Sequence, residues 1–171
     1  MGAMNRPASP HVHQVSLSDG GVPKHGVPSA QVTVEGLKGD RQRNRKVHGG
    51  PDRAVCLFSL EVIEALCAEG HSIGPGSAGE NLTLVGLEWS TLKPGDRLGI
   101  GDGLQLEIMS YTAPCRWNAQ WFVDGDYGRM SQEEHPGWSR LYARVLVEGT
   151  VRPGDRVEVL NAERLTQHSG L

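Results

Sequence analysis

Glycine and proline interrupt this chain so often that only short secondary-structure elements fit between them. The 171 residues include 23 glycines and 10 prolines. Because these two residues mark turns and weaken the interiors of elements, their frequency predicts short strands joined by turns and argues against long helices. A chain of this length is expected to bury one core and to form one ordinary domain.

Between the turns, apolar and polar residues alternate as they do in strands with one buried face. The alternation, with a short apolar run at 53–58, predicts strands over 11–17, 31–35, 53–58, 80–85, 97–100, 104–108, 141–147 and 156–160. Residues 59–69 have helical spacing instead, with Ser59 as the N-cap and Gly70 as the stop. Residues 116–123 predict a helical turn. The pattern predicts a mainly β protein, a closed, twisted β-barrel of short strands with one or two peripheral helices.

Two of the predicted turns have nearly the same sequence. Lys93-Pro94-Gly95-Asp96 precedes one strand, and Arg152-Pro153-Gly154-Asp155 precedes another. Proline fixes φ at one turn position and glycine permits the next position. We interpret both segments as structural turns that introduce adjacent strands, and not as ligand sites.

Composition and charge exclude several classes of protein. The net charge is −3, which favours neither a nucleic-acid partner nor a membrane surface. No apolar run approaches the roughly 18 residues of a membrane-spanning helix. The three cysteines, at positions 56, 67 and 115, fit neither a disulfide framework nor a zinc motif. These features favour a cytoplasmic protein.

The domain organisation follows from the same patterns. Residues 1–9 are short, polar and proline-containing, and they predict a disordered N-terminus or a remnant of cloning. Residues 10–160 predict the folded domain. Residues 161–171 predict a frayed tail.

Residues 38–53 are a local cationic segment in an acidic chain. Their basic residues are Lys38, Arg41, Arg43, Arg45, Lys46 and Arg53, against two acids, Asp40 and Asp52. Within the segment, the glycine pair of His48-Gly49-Gly50 lets main-chain N–H groups approach an anion. Arginine binds phosphate or carboxylate through two parallel hydrogen bonds. The segment predicts a site for a small anionic ligand; a solvated charged loop is the alternative, favoured for residues 41–46 alone.

A second flexible segment, Gly76-Ser77-Ala78-Gly79-Glu80-Asn81, presents two polar side chains at the start of a strand. The side chain of Asn81 has both donors and an acceptor, so it can bind the edge of a heterocycle. A turn capped by Asn81 is the structural alternative.

Cys115 lies between an alternating segment and an aromatic-rich one, in Tyr111-Thr112-Ala113-Pro114-Cys115-Arg116-Trp117. A thiol beside an arginine at the end of a strand suits a soft metal or a transferable sulfur atom. Taken alone, a single cysteine is more often a small buried apolar residue. Cys56 and Cys67 lie on apolar faces of a strand and a helix, and we assign them structural roles.

The order of these motifs resembles the MOSC domain, which is found at the C-terminus of molybdenum cofactor sulfurases and as free-standing bacterial proteins. The motifs are Gly36-Leu37-Lys38-Gly39-Asp40, His48-Gly49-Gly50-Pro51-Asp52-Arg53-Ala54-Val55, Gly74-Pro75-Gly76, Gly79-Glu80-Asn81-Leu82, Gly95-Asp96-Arg97-Leu98, Pro114-Cys115, Arg144-Val145-Leu146, Gly149 and Gly154-Asp155. The resemblance extends over about residues 10–160, and its specificity comes from the order and spacing of the motifs.

The resemblance implies a closed β-barrel that binds molybdenum cofactor (molybdopterin), a pterin dithiolene with a phosphate. It implies that Cys115 is the functional thiol, either as a molybdenum ligand or as a carrier of sulfur. The residues implied in cofactor binding are Lys38, Arg41, His48, Gly49, Gly50, Arg53, Glu80, Asn81, Thr112 and Arg116. No lysine stands out as a Schiff-base candidate, which argues against pyridoxal phosphate.

The chain departs from the family pattern at one position. Many members have an arginine two residues ahead of the Pro-Cys step, where this chain has Thr112. Either Arg116 or another basic residue takes the place of that arginine, or the ligand pocket differs.

Three functions are left open by the sequence. The first is a molybdenum-dependent oxidoreductase that reduces N-hydroxylated small molecules with electrons from a separate donor protein. The second is a non-enzymatic carrier of sulfur, as a Cys115 persulfide loaded by a sulfur donor, or of the cofactor. The third is a regulatory or structural barrel with a vestigial pocket.

Overall fold

The computed structural model describes residues 9–41 and 50–160. Segments 1–8 and 161–171, which include the predicted disordered N-terminus and frayed tail, lie outside the described residues. So do residues 42–49, which contain the predicted site residues His48 and Gly49.

Two β-sheets account for most of the described chain. Their strands are β1 (His11–Leu17), β2 (His25–Val27), β3 (Ala30–Thr33), β4 (Gly36–Leu37), β5 (Val55–Ser59), β6 (Leu82–Val85), β7 (Arg97–Ile100), β8 (Leu104–Tyr111), β9 (Leu141–Val147), β10 (Gly149–Val151) and β11 (Val157–Val159). The larger sheet has the order β11-β7-β8-β9-β5-β6-β1-β2, and the smaller has the order β10-β3-β4. The expectation of a mainly β fold is confirmed.

The pairings are antiparallel except between β5 and β6. These two strands are parallel because helix α1 (Leu60–Ala68) connects them as a crossover. Helix α1 begins where predicted: the Ser59 hydroxyl accepts a hydrogen bond from the Val62 amide at 3.2 Å. Its buried face, formed by Val62, Ile63 and Leu66, covers the core. Four short 3₁₀ helices, at Pro51–Arg53, Trp89–Thr91, Arg116–Trp121 and Tyr127–Met130, complete the described elements.

The predicted closed barrel is wrong, because the sheets are not closed. The end strands β11 and β2 have three residues each and do not pair with one another. Among the described residues, main-chain hydrogen bonds join the start of β1 to the segment before β11: the Val12 amide donates to the Asp155 carbonyl at 2.9 Å, and the Gly154 amide donates to the Val12 carbonyl at 2.7 Å. These bonds form no continuous ladder. Strands this short cannot supply the staggered register that a closed barrel requires.

Candidate functional site

A cavity of about 280 Å³ opens where several loops meet beside the ends of the strands of the larger sheet. Its walls come from the β1–β2 loop, the segment after β4, strand β5, the loop before β6, the segment after β8 and the start of β9. The side chains that matter for chemistry are two thiols, Cys56 and Cys115, four bases, Lys24, Arg41, Arg116 and Arg140, and two aromatic rings, Trp117 and Tyr142. Small and apolar residues, including Val22, Ala78 and Gly79, form the rest of the wall.

Cys115 is half-buried in the wall of this cavity. It lies four residues beyond the end of β8, immediately before the 3₁₀ helix Arg116–Trp121. Asn118, which is fully buried, holds this turn: its amide donates to the Cys115 carbonyl at 2.9 Å, and its side chain donates to the Ala78 carbonyl at 3.2 Å. The thiol is therefore positioned against the cavity by a hydrogen-bonded turn.

Cys56 and Tyr142, from the neighbouring strands β5 and β9, line the cavity together with Cys115. They are direct partners in the antiparallel register of β5 and β9. Burial raises the pKa of the Cys56 thiol, an effect that the Arg140 guanidinium partly opposes, so Cys56 is a neutral thiol near pH 7. Burial also raises the pKa of the Tyr142 hydroxyl. The sequence assigns Cys56 a structural role, and the structure also places it in the cavity wall.

The four basic residues of the cavity have different surroundings. Lys24 and Asp40 form a buried ion pair with an N–O distance of 2.6 Å. Arg41 is mostly exposed, with its Nε atom 3.8 Å from an Asp19 carboxylate oxygen. Arg116 is exposed and lies over the Trp117 ring, 5.1 Å from the ring centroid.

Arg140, the residue before β9, is the most deeply buried of the four, at 4% exposure. Its Nη1 atom donates to the Ala78 carbonyl at 3.0 Å, and its Nη2 atom donates to the Ala113 carbonyl at 3.1 Å. Ala78 O thus accepts from both Asn118 and Arg140, which ties the loop before β6 to the segment that carries Cys115.

Of the residues that the sequence predicts for the site, Cys115, Arg41 and Arg116 lie together in the cavity wall. Arg53 lies behind this wall, with its guanidinium carbon 5.5 Å from the centroid of the Tyr142 ring. Lys38 and Gly50 are exposed and do not line the cavity. Thr112 is buried and does not line it either.

Glu80 and Asn81 are engaged inside the protein. The Asn81 side chain accepts from the Cys56 amide at 3.0 Å and donates to Asp40 at 2.9 Å, so it holds the main chain of β5. Glu80 accepts from the Gly76 amide at 3.0 Å and from the Thr83 hydroxyl at 2.9 Å. Neither residue lines the cavity, and their assignment as cofactor-binding residues stays a prediction.

Lys24, Asn118, Arg140 and Tyr142 line the cavity but are not among the predicted site residues. The sequence around each of these residues predicts a loop, a helical turn or a strand, and it indicates no binding role. The Arg140 position carries the one usable signal, since a charged residue stands directly before the apolar run of β9.

Within residues 9–41 and 50–160, no group of three or more His, Cys, Asp or Glu side chains is arranged to hold a metal ion. The helices in this part of the chain are all too short or too polar to cross a membrane.

The structure describes a mainly β protein with a cavity lined by thiol, basic and aromatic side chains. The sequence matches the MOSC domain over residues 44–158. The chain belongs to the MOSC domain family, which confirms the resemblance found in its motifs.

Individual relatives agree with this assignment. The chain is 31% identical over 146 residues to the uncharacterized protein YflK of Bacillus subtilis (strain 168), covering 82% of this chain and 63% of the relative. It is 32% identical to protein YiiM of Escherichia coli (strain K12), covering 76% of this chain and 58% of the relative. The chain thus spans less than two thirds of the length of both curated relatives.

A solved structure shares the fold. The crystal structure of a hypothetical protein superposes with a TM-score of 0.70 at 25% sequence identity, covering 91% of this chain and 70% of the other.

Proposed function

We propose that this protein binds molybdenum cofactor, with Cys115 as the protein ligand of the metal. The observation that carries the proposal is the position of Cys115, a reachable thiol in the wall of a cavity that also contains arginine side chains. The sulfur of a cysteine is the kind of soft donor that molybdenum favours. The cofactor's phosphate and pterin in turn require cations and hydrogen-bonding groups.

The residues present fit such a group. The described part of the chain offers no cluster of three metal-binding side chains, so a metal held at Cys115 needs further ligands from a cofactor. A dithiolene cofactor brings its own sulfur ligands. The cavity's volume of about 280 Å³ is slightly below the roughly 300–1,000 Å³ of small-molecule sites, so it would hold part of such a cofactor.

The chain's own residues have distinct parts in this proposal. Cys115 binds as the thiolate, which is the metal-binding form of cysteine. Asn118 holds the turn that aims this sulfur, through its bonds to Cys115 and Ala78. Val22, Trp117 and Tyr142 supply an apolar and aromatic wall that excludes water from the reacting end.

The reaction proposed is the reduction of an N-hydroxylated small molecule. It breaks the N–O bond, consumes two electrons and two protons, and releases the amine or amidine together with water. The bound molybdenum supplies the two-electron redox chemistry. The electrons come from a separate donor protein.

A second candidate function is a sulfur carrier, which the half-buried but reachable position of Cys115 also permits. In this case the Cys115 thiolate attacks the outer sulfur of a donor persulfide, and the donor thiolate leaves. Cys115 then carries the persulfide to an acceptor. The proposals differ in whether the purified protein holds metal or outer sulfur.

Metal analysis distinguishes them. We expect protein from a cofactor-competent host to contain nearly stoichiometric molybdenum, and Cys115→Ala to lose most of it. Cys67→Ala is the matched control, since Cys67 lies on α1 and does not line the cavity. Equal molybdenum in all three proteins would refute the ligand role. Cyanide-labile sulfur on Cys115 without molybdenum would support the carrier, and the absence of both would leave a structural role.

A further inference from the structure

Arg140 is a buried cation whose hydrogen-bonding capacity is only partly used. Its two Nη atoms donate to the carbonyls of Ala78 and Ala113. Its Nε atom is buried and has no hydrogen-bond partner among the described residues. A guanidinium has more N–H groups than two carbonyls can accept, so donors are left over in a side chain that lines the cavity.

Among the residues that the structure describes, no carboxylate forms an ion pair with Arg140. Glu80 is close enough for the Arg140 charge to lower its pKa, but burial outweighs this effect and the carboxyl favours its neutral form. A buried charge without a counterion is costly, and an anion in the cavity would remove that cost.

The other bases of the cavity are not equivalent to Arg140. Lys24 is already neutralised by its buried pair with Asp40. Arg41 and Arg116 are exposed, where water competes for their charge. Arg140 therefore combines burial, a free donor and a place in the cavity wall.

Arg140 also stands beside the position where this chain departs from the family pattern. The amide of Thr112 donates to the Arg140 carbonyl at 2.9 Å, so the two residues are neighbours between the end of β8 and the start of β9. In this chain, the Arg140 guanidinium reaches the Pro-Cys segment from the adjacent strand, through its bond to Ala113.

We propose that Arg140 is the anion-binding residue of the cavity and that it holds a phosphate group. The inference rests on the proposed function in one respect, because the phosphate ester of the cofactor is one source of the phosphate that Arg140 would bind. A free phosphate ion is the other source.

Phosphate binding by cofactor-free protein tests the inference without involving molybdenum. Inorganic phosphate is titrated into the protein and binding is measured by calorimetry at constant ionic strength. We expect saturable binding to the wild type and about tenfold or greater loss of affinity in Arg140→Ala, since hydrogen bonds to charged groups are the strong ones. Arg140→Lys keeps the charge but loses the planar guanidinium, so it should bind phosphate more weakly than the wild type. This variant also keeps the test valid if the alanine variant does not fold.

Two further variants sharpen the result. Arg144→Ala is the matched control, because Arg144 lies on the same strand, pairs with Glu107 at 3.2 Å and does not line the cavity; its affinity should be unchanged. Arg41→Ala, which removes an exposed base of the same cavity, should weaken phosphate binding less than Arg140→Ala does, because water already competes for the Arg41 charge. Wild-type affinity in both Arg140 variants, or no phosphate binding by the wild type, would overturn the inference.

The same titration with cofactor-loaded protein shows whether the cofactor's phosphate ester or a free phosphate ion occupies the site. Loss of phosphate binding on loading identifies the cofactor ester as the occupant, whereas unchanged binding identifies free phosphate. The phosphate titration of cofactor-free protein involves neither molybdenum nor its ligation. Failure of the molybdenum proposal therefore leaves this inference standing, and failure of phosphate binding leaves the molybdenum proposal standing.

Discussion

The Glu80 side chain supports the loop before β6 from inside the protein. Its carboxyl is fully buried and holds the Gly76 amide and the Thr83 hydroxyl, while its Oε1 atom has no hydrogen-bond partner among the described residues. Burial raises the pKa of Glu80 above its ordinary value of 4.5, more than these hydrogen bonds lower it. The native state therefore favours the protonated carboxyl.

This pKa shift has a definite consequence for stability. Because the native pKa is raised, the contribution of Glu80 is fully present below the ordinary pKa and is lost as the pH rises through the native pKa. Glu80→Gln keeps the shape and does not ionise. We therefore expect the free energy of unfolding of the wild type, relative to the variant, to fall as the pH rises above about 4.

Urea unfolding of both proteins at a series of pH values measures this difference in stability. The contributions of the other titrating groups cancel in the difference, because both proteins contain them. A relative stability that is constant, or that rises with pH, would show that Glu80 ionises as easily in the native state as in the unfolded chain.

At the level of single residues, sequence reasoning identifies a cavity residue when its chemistry is unusual for its neighbourhood. Cys115, beside a proline and an arginine, is such a residue, and the structure places it in the cavity wall. Arg140 gives a weaker signal, since its role depends on burial and on an unused Nε donor. Neither property can be derived from spacing along the chain. The hydrogen bonds of Asn81 to the main chain of β5 and to Asp40 cannot be derived from spacing either, and its predicted role in cofactor binding stays a prediction.

Among the secondary-structure elements, the repeated Pro-Gly-Asp turns have the structural role predicted for them. In each turn an aspartate accepts from the amide three residues earlier, Lys93 to Asp96 at 3.1 Å and Arg152 to Asp155 at 2.8 Å. The strands that follow them, β7 and β11, pair with each other. Local turn chemistry therefore predicted adjacent strands correctly.

Short elements escaped prediction for a physical reason. Strands β2, β4 and β10 have two or three residues each, which is too few for an alternating pattern. Strand β10 also pairs with a partner far along the chain, as between Gly149 and Val32. Helix α1 was predicted well because its cap, its apolar face and its glycine stop are all local.

The loop before β6 offers a test at this level, because its glycine lies against another loop of the cavity. Gly76 has φ 84°, and an added Cβ would overlap the carbonyl oxygen of Lys24. Gly95 has φ 99° but open space around the same position. Gly95→Ala should cost about 1–2 kcal/mol of unfolding free energy, the price of a left-handed residue. Gly76→Ala should cost clearly more, since the β1–β2 loop must also move.

Denaturant unfolding of the two variants gives the comparison directly. Equal losses of stability would mean that the contact between the Gly76 and Lys24 loops is not tight in solution. A larger loss in Gly76→Ala would confirm that these loops support each other at the cavity.

For the whole molecule, the site is assembled by folding from segments that are distant in sequence. The cavity joins the β1–β2 loop, the loop before β6 and the segment after β8. The Gly76 carbonyl accepts from the Lys24 amide, and the Ala78 carbonyl accepts from Asn118 and Arg140. The sequence predicted the β-rich class and the family, since both depend on local patterns. It predicted a closed barrel wrongly, because closure depends on how two three-residue edge strands meet.

The position of molybdenum in the protein tests the central claim most directly. Crystals of protein from a cofactor-competent host, measured on both sides of the molybdenum absorption edge, locate the metal by its anomalous signal. We expect one strong peak in the cavity within bonding distance of the Cys115 sulfur. A molybdenum peak elsewhere in the protein, or a cofactor bound in the cavity with its metal away from Cys115, would contradict the account.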